Sequence, residues 1–151
     1  MTQKRLLFLQ AIASFCAGAS LLYLILFFFL FFSNLRSFYT ATLSGPWIEE
    51  GLKFLAVLLL LKLINIRAII IPFVGVGFGL MELITHYTEH GLRNMFPFSL
   101  HFVFGLVMAY FFYLARKQKY PNLRSVLYAL AFLIPTWLHL LYNTILAIRL
   151  I

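Results

Sequence analysis

The residues able to do chemistry sit in four short stretches. EEGLK (49–53) places two adjacent carboxylates, Glu49 and Glu50, one helical turn from Lys53. FGLME (78–82) carries Glu82 three residues after the end of the glycine-rich run GVGFG (75–79). His101 follows in RNMFPFSLHFVFG (93–105), and HLLYN (139–143) pairs His139 with Asn143. The chain has only four acidic residues, three of them in these stretches. Carboxylates crowded together resist ionising together, so one can keep a proton while another accepts one. That division suits a general acid/base pair that activates water.

The surroundings of these groups are apolar. Of 151 residues, 64% are hydrophobic and 11% charged, against about 45–50% and about 25% in ordinary soluble domains. A soluble core could not hide this much apolar surface, so the expected solvent is lipid and the expected fold is an all-α, polytopic membrane helix bundle. Five segments approach the roughly 20 apolar residues needed to cross a bilayer: about 6–32, 47–64, 68–88, 96–115 and 125–148. Between them lie turn and charge signals at Ser33-Asn34, Gly45-Pro46, Lys62 to Arg67, Gly91 to Asn94, and Arg116 to Arg124. The first apolar run is too long for a cleaved signal peptide and reads as an uncleaved span. Residues 1–151 are expected to form one integral-membrane domain.

The net charge of +8 comes from Lys and Arg scattered among short loops, a pattern of membrane orientation and not of nucleic acid binding. With the N-terminus inside, Lys4, Arg5, Lys62, Arg67, Arg116, Lys117, Lys119 and Arg124 fall on the cytoplasmic side, against Arg36, Arg93 and Arg149 outside. This bias predicts a cytoplasmic N-terminus and an outside C-terminus. The lone Cys16 excludes an internal disulfide.

Threading the spans in alternating directions brings Glu49, Glu50, Glu82, His101, His139 and Asn143 to one layer, ~5–15 Å below the outer surface at 1.5 Å rise per residue. Charged groups at that depth cost several kcal/mol unless paired or hydrated. The expectation is a water-filled cavity near the outer face. Glu49 and Lys53, four residues apart with the acid first, are expected to form an ion pair. His139 and Asn143 share a face by the same spacing. The glycines of GVGFG should let a neighbouring helix approach closely beside Glu82.

In this order, EExxK, FxxxE in a glycine-rich helix, an Arg followed by a His entering a helix, and HxxxN resemble the PrsW-type glutamic intramembrane proteases. These are relatives of the CAAX-processing and bacteriocin-processing membrane proteases. The resemblance covers roughly residues 46–146, and Leu83 stands where the family pattern usually carries Asn. It implies peptide hydrolysis within a prokaryotic plasma membrane, on a membrane-spanning protein substrate of the anti-sigma factor kind. By position, Glu49 would activate water with support from Glu50, and Glu82 would hold the water or shuttle the proton. His101 would orient water or substrate, His139 and Asn143 would form the oxyanion hole, and Lys53 would fix the first carboxylate. No cofactor is implied.

Plainer readings stand beside these. Acids at a helix start complement the dipole, and His139 with Asn143 could serve as interhelical glue. His86, Glu89 and His90 read as solvated loop-edge residues. Glu82 and His86, with His101 and His139, also have ligand types that suit zinc, although the HExxH pairing is absent. A non-catalytic scaffold of the same fold is a second class of function. An ion-coupled transporter is a third, weakened by the apolar inner halves of the spans.

Overall fold

The computed structural model describes residues 3–31, 44–90 and 95–149. The breaks at Ser33-Asn34 and Gly91 to Asn94, with Arg36 and Arg93, lie outside the described residues, as do the side chains of His86, Glu89, His90 and Arg149. The described residues form five α-helices and no strand: α1 (Gln3–Phe31), α2 (Gly45–Ile64), α3 (Pro72–His90), α4 (Met95–Lys117) and α5 (Pro121–Arg149). Two of them, over Phe98–Lys117 and Pro121–Leu146, are long and apolar enough to cross a membrane by length and composition alone. Helix α2 carries Glu49, Glu50, Lys53 and Lys62, which lower its hydropathy.

The helix boundaries follow local chemistry. Pro46 lies in the first turn of α2, and α3 and α5 begin at Pro72 and Pro121, positions where a missing N–H costs no helical bond. Residues 68–71, expected as the start of the third span, instead make a 3-10 turn (Ala68–Ile70) before the true helix starts at Pro72. Asn65 closes α2 in the left-handed region (φ 48°), and its N–H donates to the Leu61 carbonyl at 3.1 Å. Arg116 of α4 then donates to the Ile66 carbonyl and to Asn65 Oδ1, each at 2.9 Å, tying this turn to the end of α4. Gln10 of α1 donates to the Ile64 carbonyl at 3.1 Å.

Helix α3 is the centre of the bundle, packed between α1 and α4, while α5 lies along α4 and α2 bridges α5 and α1. Glycine makes the two central contacts possible. A Cβ at Gly75 would collide with the backbone carbonyl of His101 on α4, and one at Gly77 with the carbonyl of Phe15 on α1. The alternate spacing of GVGFG therefore serves two neighbours, because residues two apart on a helix point to different sides. Val57, Ile71, Val74, Phe78, Met108 and Phe112 fill the core between the helices.

Candidate active site

The first turns of α2, the later half of α3, the first half of α4 and the later half of α5 meet at one end of the bundle. There Glu49, Glu82, His101, His139 and Asn143 line one cavity of about 240 Å³, together with Leu100, Phe104, Tyr142 and Leu146. Glu50 is placed differently from its neighbour. It is completely buried behind the cavity wall, and Lys53 is only 3% exposed.

Five of these side chains form a continuous chain of bonds. Lys53 Nζ donates to Glu50 Oε1 and to His101 Nδ1, both at 2.8 Å. His139 Nδ1 lies 3.0 Å from the same Glu50 oxygen. His101 Nε2 lies 2.6 Å from Glu82 Oε2. The expected Glu49–Lys53 pair is thus corrected: the ammonium binds Glu50, three residues away, and not Glu49. Spacings of three and four are both neighbours on a helix. Here the bundle decides between them, because Lys53 and Glu50 share the buried face while Glu49 turns toward the cavity.

Glu49 is left apart from this network. Its Oε2 has no hydrogen-bond partner, and the nearest ion-pairing group is His139 Nε2 at 3.9 Å. Aromatic rings hold the imidazoles in place. Phe104 stacks on His139 (centroids 5.3 Å, 29° between planes), and Phe78 meets His101 edge-on at 5.0 Å. Phe104 and Tyr142 escaped the sequence reading. In a chain with 18 Phe and 8 Tyr, residue type gives no signal of which rings reach a cavity. Position offered a weak one: Phe104 lies three residues past His101, and Tyr142 lies three past His139 and beside Asn143.

The donor atoms of Glu49, His101 and His139 all lie within 4.8 Å of one another. Two imidazoles and a carboxylate are a donor set that suits a catalytic divalent ion such as zinc. His139 meets the requirement as it stands, since its Nδ1 is held by a carboxylate and its Nε2 faces the cavity, the usual support for a metal-binding histidine. His101 would have to exchange its Nε2 bond to Glu82 for the ion. The residues present therefore fit such an ion in type and spacing.

Comparison with known proteins identifies the family. Residues 3–151 match the family described as PrsW family intramembrane metalloprotease. "Protease PrsW" of Oceanobacillus iheyensis is 40% identical over 77 residues, a stretch covering 48% of this chain and 35% of that protein. The matched stretch thus spans about a third of the relative's length. No solved structure matches. With the family match running nearly end to end over an all-helical bundle, the chain belongs to the PrsW family of intramembrane proteases.

Proposed function

We propose that the protein is an intramembrane endopeptidase that hydrolyses a peptide bond of a membrane-spanning protein, with water activated by Glu49. The observation that carries this reading is that four separate helices bring Glu49, Glu82, His101, and His139 with Asn143 to one small polar cavity in an otherwise apolar bundle. A water molecule beside Glu49 Oε2 and His139 Nε2 would lose its proton to the carboxylate as its oxygen attacks the carbonyl carbon. The Asn143 amide would donate to the carbonyl oxygen as charge develops there. Protonated Glu49 would then return the proton to the leaving amine as the C–N bond breaks. Glu82, on the facing wall, would hold the water or relay the proton. His101 would keep Glu82 in place, and Glu50 would keep His139 in place.

Each of the five helices has 19 residues or more, a rise of about 28 Å or longer. All five would span the bilayer, with the N-terminus in the cytoplasm, the C-terminus outside and the cavity near the outer face of a prokaryotic plasma membrane. The Lys and Arg bias supports that orientation. The substrate would be a single-span protein of the anti-sigma factor kind. The test is cleavage of a co-expressed single-span substrate by wild type, Glu49→Gln and Glu82→Gln. Undiminished cleavage by both variants would reject the reading, and an intact cellular phenotype in Glu49→Gln would favour a scaffold.

A second reading rests on the close approach of the Glu49, His101 and His139 donor atoms. These three residues would hold a divalent ion, which would supply Lewis acidity and hydroxide at neutral pH. Purified protein stripped with a chelator separates the two. Stoichiometric zinc, with cleavage lost on stripping and restored on zinc addition, would select the metal reading. Full cleavage by metal-free protein would select the glutamate reading.

A further inference from the structure

We infer that Tyr142 is a further catalytic residue, whose phenol hydroxyl donates to the substrate carbonyl oxygen beside the Asn143 amide. The inference rests on the protease reading and names a second donor in the same cavity. On α5, His139, Tyr142, Asn143 and Leu146 follow at i, i+3, i+4 and i+7, and all four line the cavity. Leu138, Leu141 and Ile145 between them are 39%, 57% and 45% exposed, so the other side of the helix faces outward. Tyr142 is therefore turned inward by the same rotation of α5 that brings His139 to Glu50 and Glu49. At 1.5 Å rise per residue it lies about 4.5 Å further along the axis than His139, toward the end of α5.

The other polar groups of the cavity are already engaged. Glu49 takes the proton of the water in the proposed reaction and holds it for the leaving amine, and Glu82 offers acceptor oxygens that turn away an oxygen gaining negative charge. Both ring nitrogens of His101 have partners, Lys53 Nζ at 2.8 Å and Glu82 Oε2 at 2.6 Å. His139 has Glu50 at 3.0 Å on one nitrogen and Glu49 at 3.9 Å on the other. Either imidazole would be equally engaged if it held an ion instead. Among the described residues, Tyr142 and Asn143 are the remaining polar side chains of the cavity. A phenol and a carboxamide both donate without changing charge near neutral pH. Adjacent residues on a helix are turned by about 100° from one another, so the two groups approach one point from two sides. During attack, the electron pair of the C=O bond moves to oxygen as the water oxygen bonds to carbon, and it returns as the C–N bond breaks. The phenol steadies that charge through its hydrogen bond and keeps its own proton, so the proton transfers of Glu49 are unchanged.

The experiment measures kcat and KM of the intact protein in lipid nanodiscs on a labelled single-span peptide, for wild type, Tyr142→Phe, Tyr142→Leu and Asn143→Ala. Phenylalanine keeps the ring and removes only the hydroxyl. Tyr142→Phe is expected to lose about 100-fold in kcat with KM within about two-fold of wild type, the loss that follows removal of one oxyanion donor. Asn143→Ala should show the same split, Tyr142→Leu should lose at least as much kcat as Tyr142→Phe, and thermal unfolding of Tyr142→Phe should match wild type. Tyr142→Phe cleaving like wild type while Tyr142→Leu raises KM would make the ring a packing surface for the substrate and overturn the inference. A loss of kcat in Tyr142→Phe that comes with a lower melting temperature would overturn it too, by making the hydroxyl structural. A wild type that does not cleave would sink the protease reading and this inference together, whereas cleavage that survives Tyr142→Phe undiminished sinks this inference alone.

Discussion

Glu49 and Glu50 are adjacent and chemically identical, yet their surroundings predict opposite phenotypes for the same conservative change. Glu50 is completely buried and accepts from both Lys53 and His139 through Oε1. Removing one partner of a buried ion pair costs about 3–5 kcal/mol, because the other charge is left without compensation. Glutamine keeps an acceptor oxygen, so Glu50→Gln belongs at the low end, about 3 kcal/mol. At 2–4 °C per kcal/mol for a chain of this size, the melting temperature should fall by ~6–12 °C. Glu49 Oε2 makes no hydrogen bond and stands 3.9 Å from His139 Nε2, so Glu49→Gln should change stability by less than about 1 kcal/mol. Its cost should appear in the rate, as a drop in kcat of about 10²–10⁴ for loss of a general base. The assay is thermal unfolding of both variants in the same detergent, followed by cleavage of a labelled single-span peptide at saturating substrate. A Glu50→Gln protein as stable as wild type, or a Glu49→Gln protein that melts early and still cleaves, would refute the assignment of one acid to structure and the other to chemistry.

Glu82→Gln should fold normally, because the amide oxygen can still accept from His101 Nε2, while kcat falls ten-fold or more in the cleavage assay (about 1.4 kcal/mol). Gly75→Ala should destabilise the bundle by about 1–3 kcal/mol and lower cleavage with it, since the added methyl meets the His101 carbonyl and pushes α4 away from α3; thermal unfolding reads this directly. Arg116→Ala, at the opposite end from the cavity, should cost about 1 kcal/mol or less at this exposed site and leave kcat unchanged, which the same two assays check. Reporter fusions after residues 66, 119 and 151 should show the first two in the cytoplasm and the third outside, and a cytoplasmic C-terminus would reverse the proposed orientation.

The helices, and the polar groups that gather at one end of them, were legible along the chain before any packing was known. Apolar runs of membrane-spanning length are a one-dimensional property, and prolines at 46, 72 and 121 mark helix starts locally. A fixed rise per residue then carries Glu49, Glu82, His101, His139 and Asn143 to the same end of the bundle once the chain alternates direction, and there they line one cavity. The pairing of His139 with Asn143 on one face needed only helical periodicity. Even the glycines of GVGFG announced a close helix contact, although not that Gly75 and Gly77 serve different neighbours.

The choice of bonding partners came from the packing of the helices. Helical spacing allowed Lys53 to pair with either acid, and packing against α4 and α5 chose Glu50 by supplying His101 and His139 on the same buried side. The distinction between a structural and a chemical glutamate arises from the rotation of α2 in the bundle, which no local pattern encodes. Phe104 and Tyr142 reach the cavity for the same reason. Depth along a helix follows from counting residues, but azimuth matters only relative to neighbours, and neighbours exist only after the helices have packed.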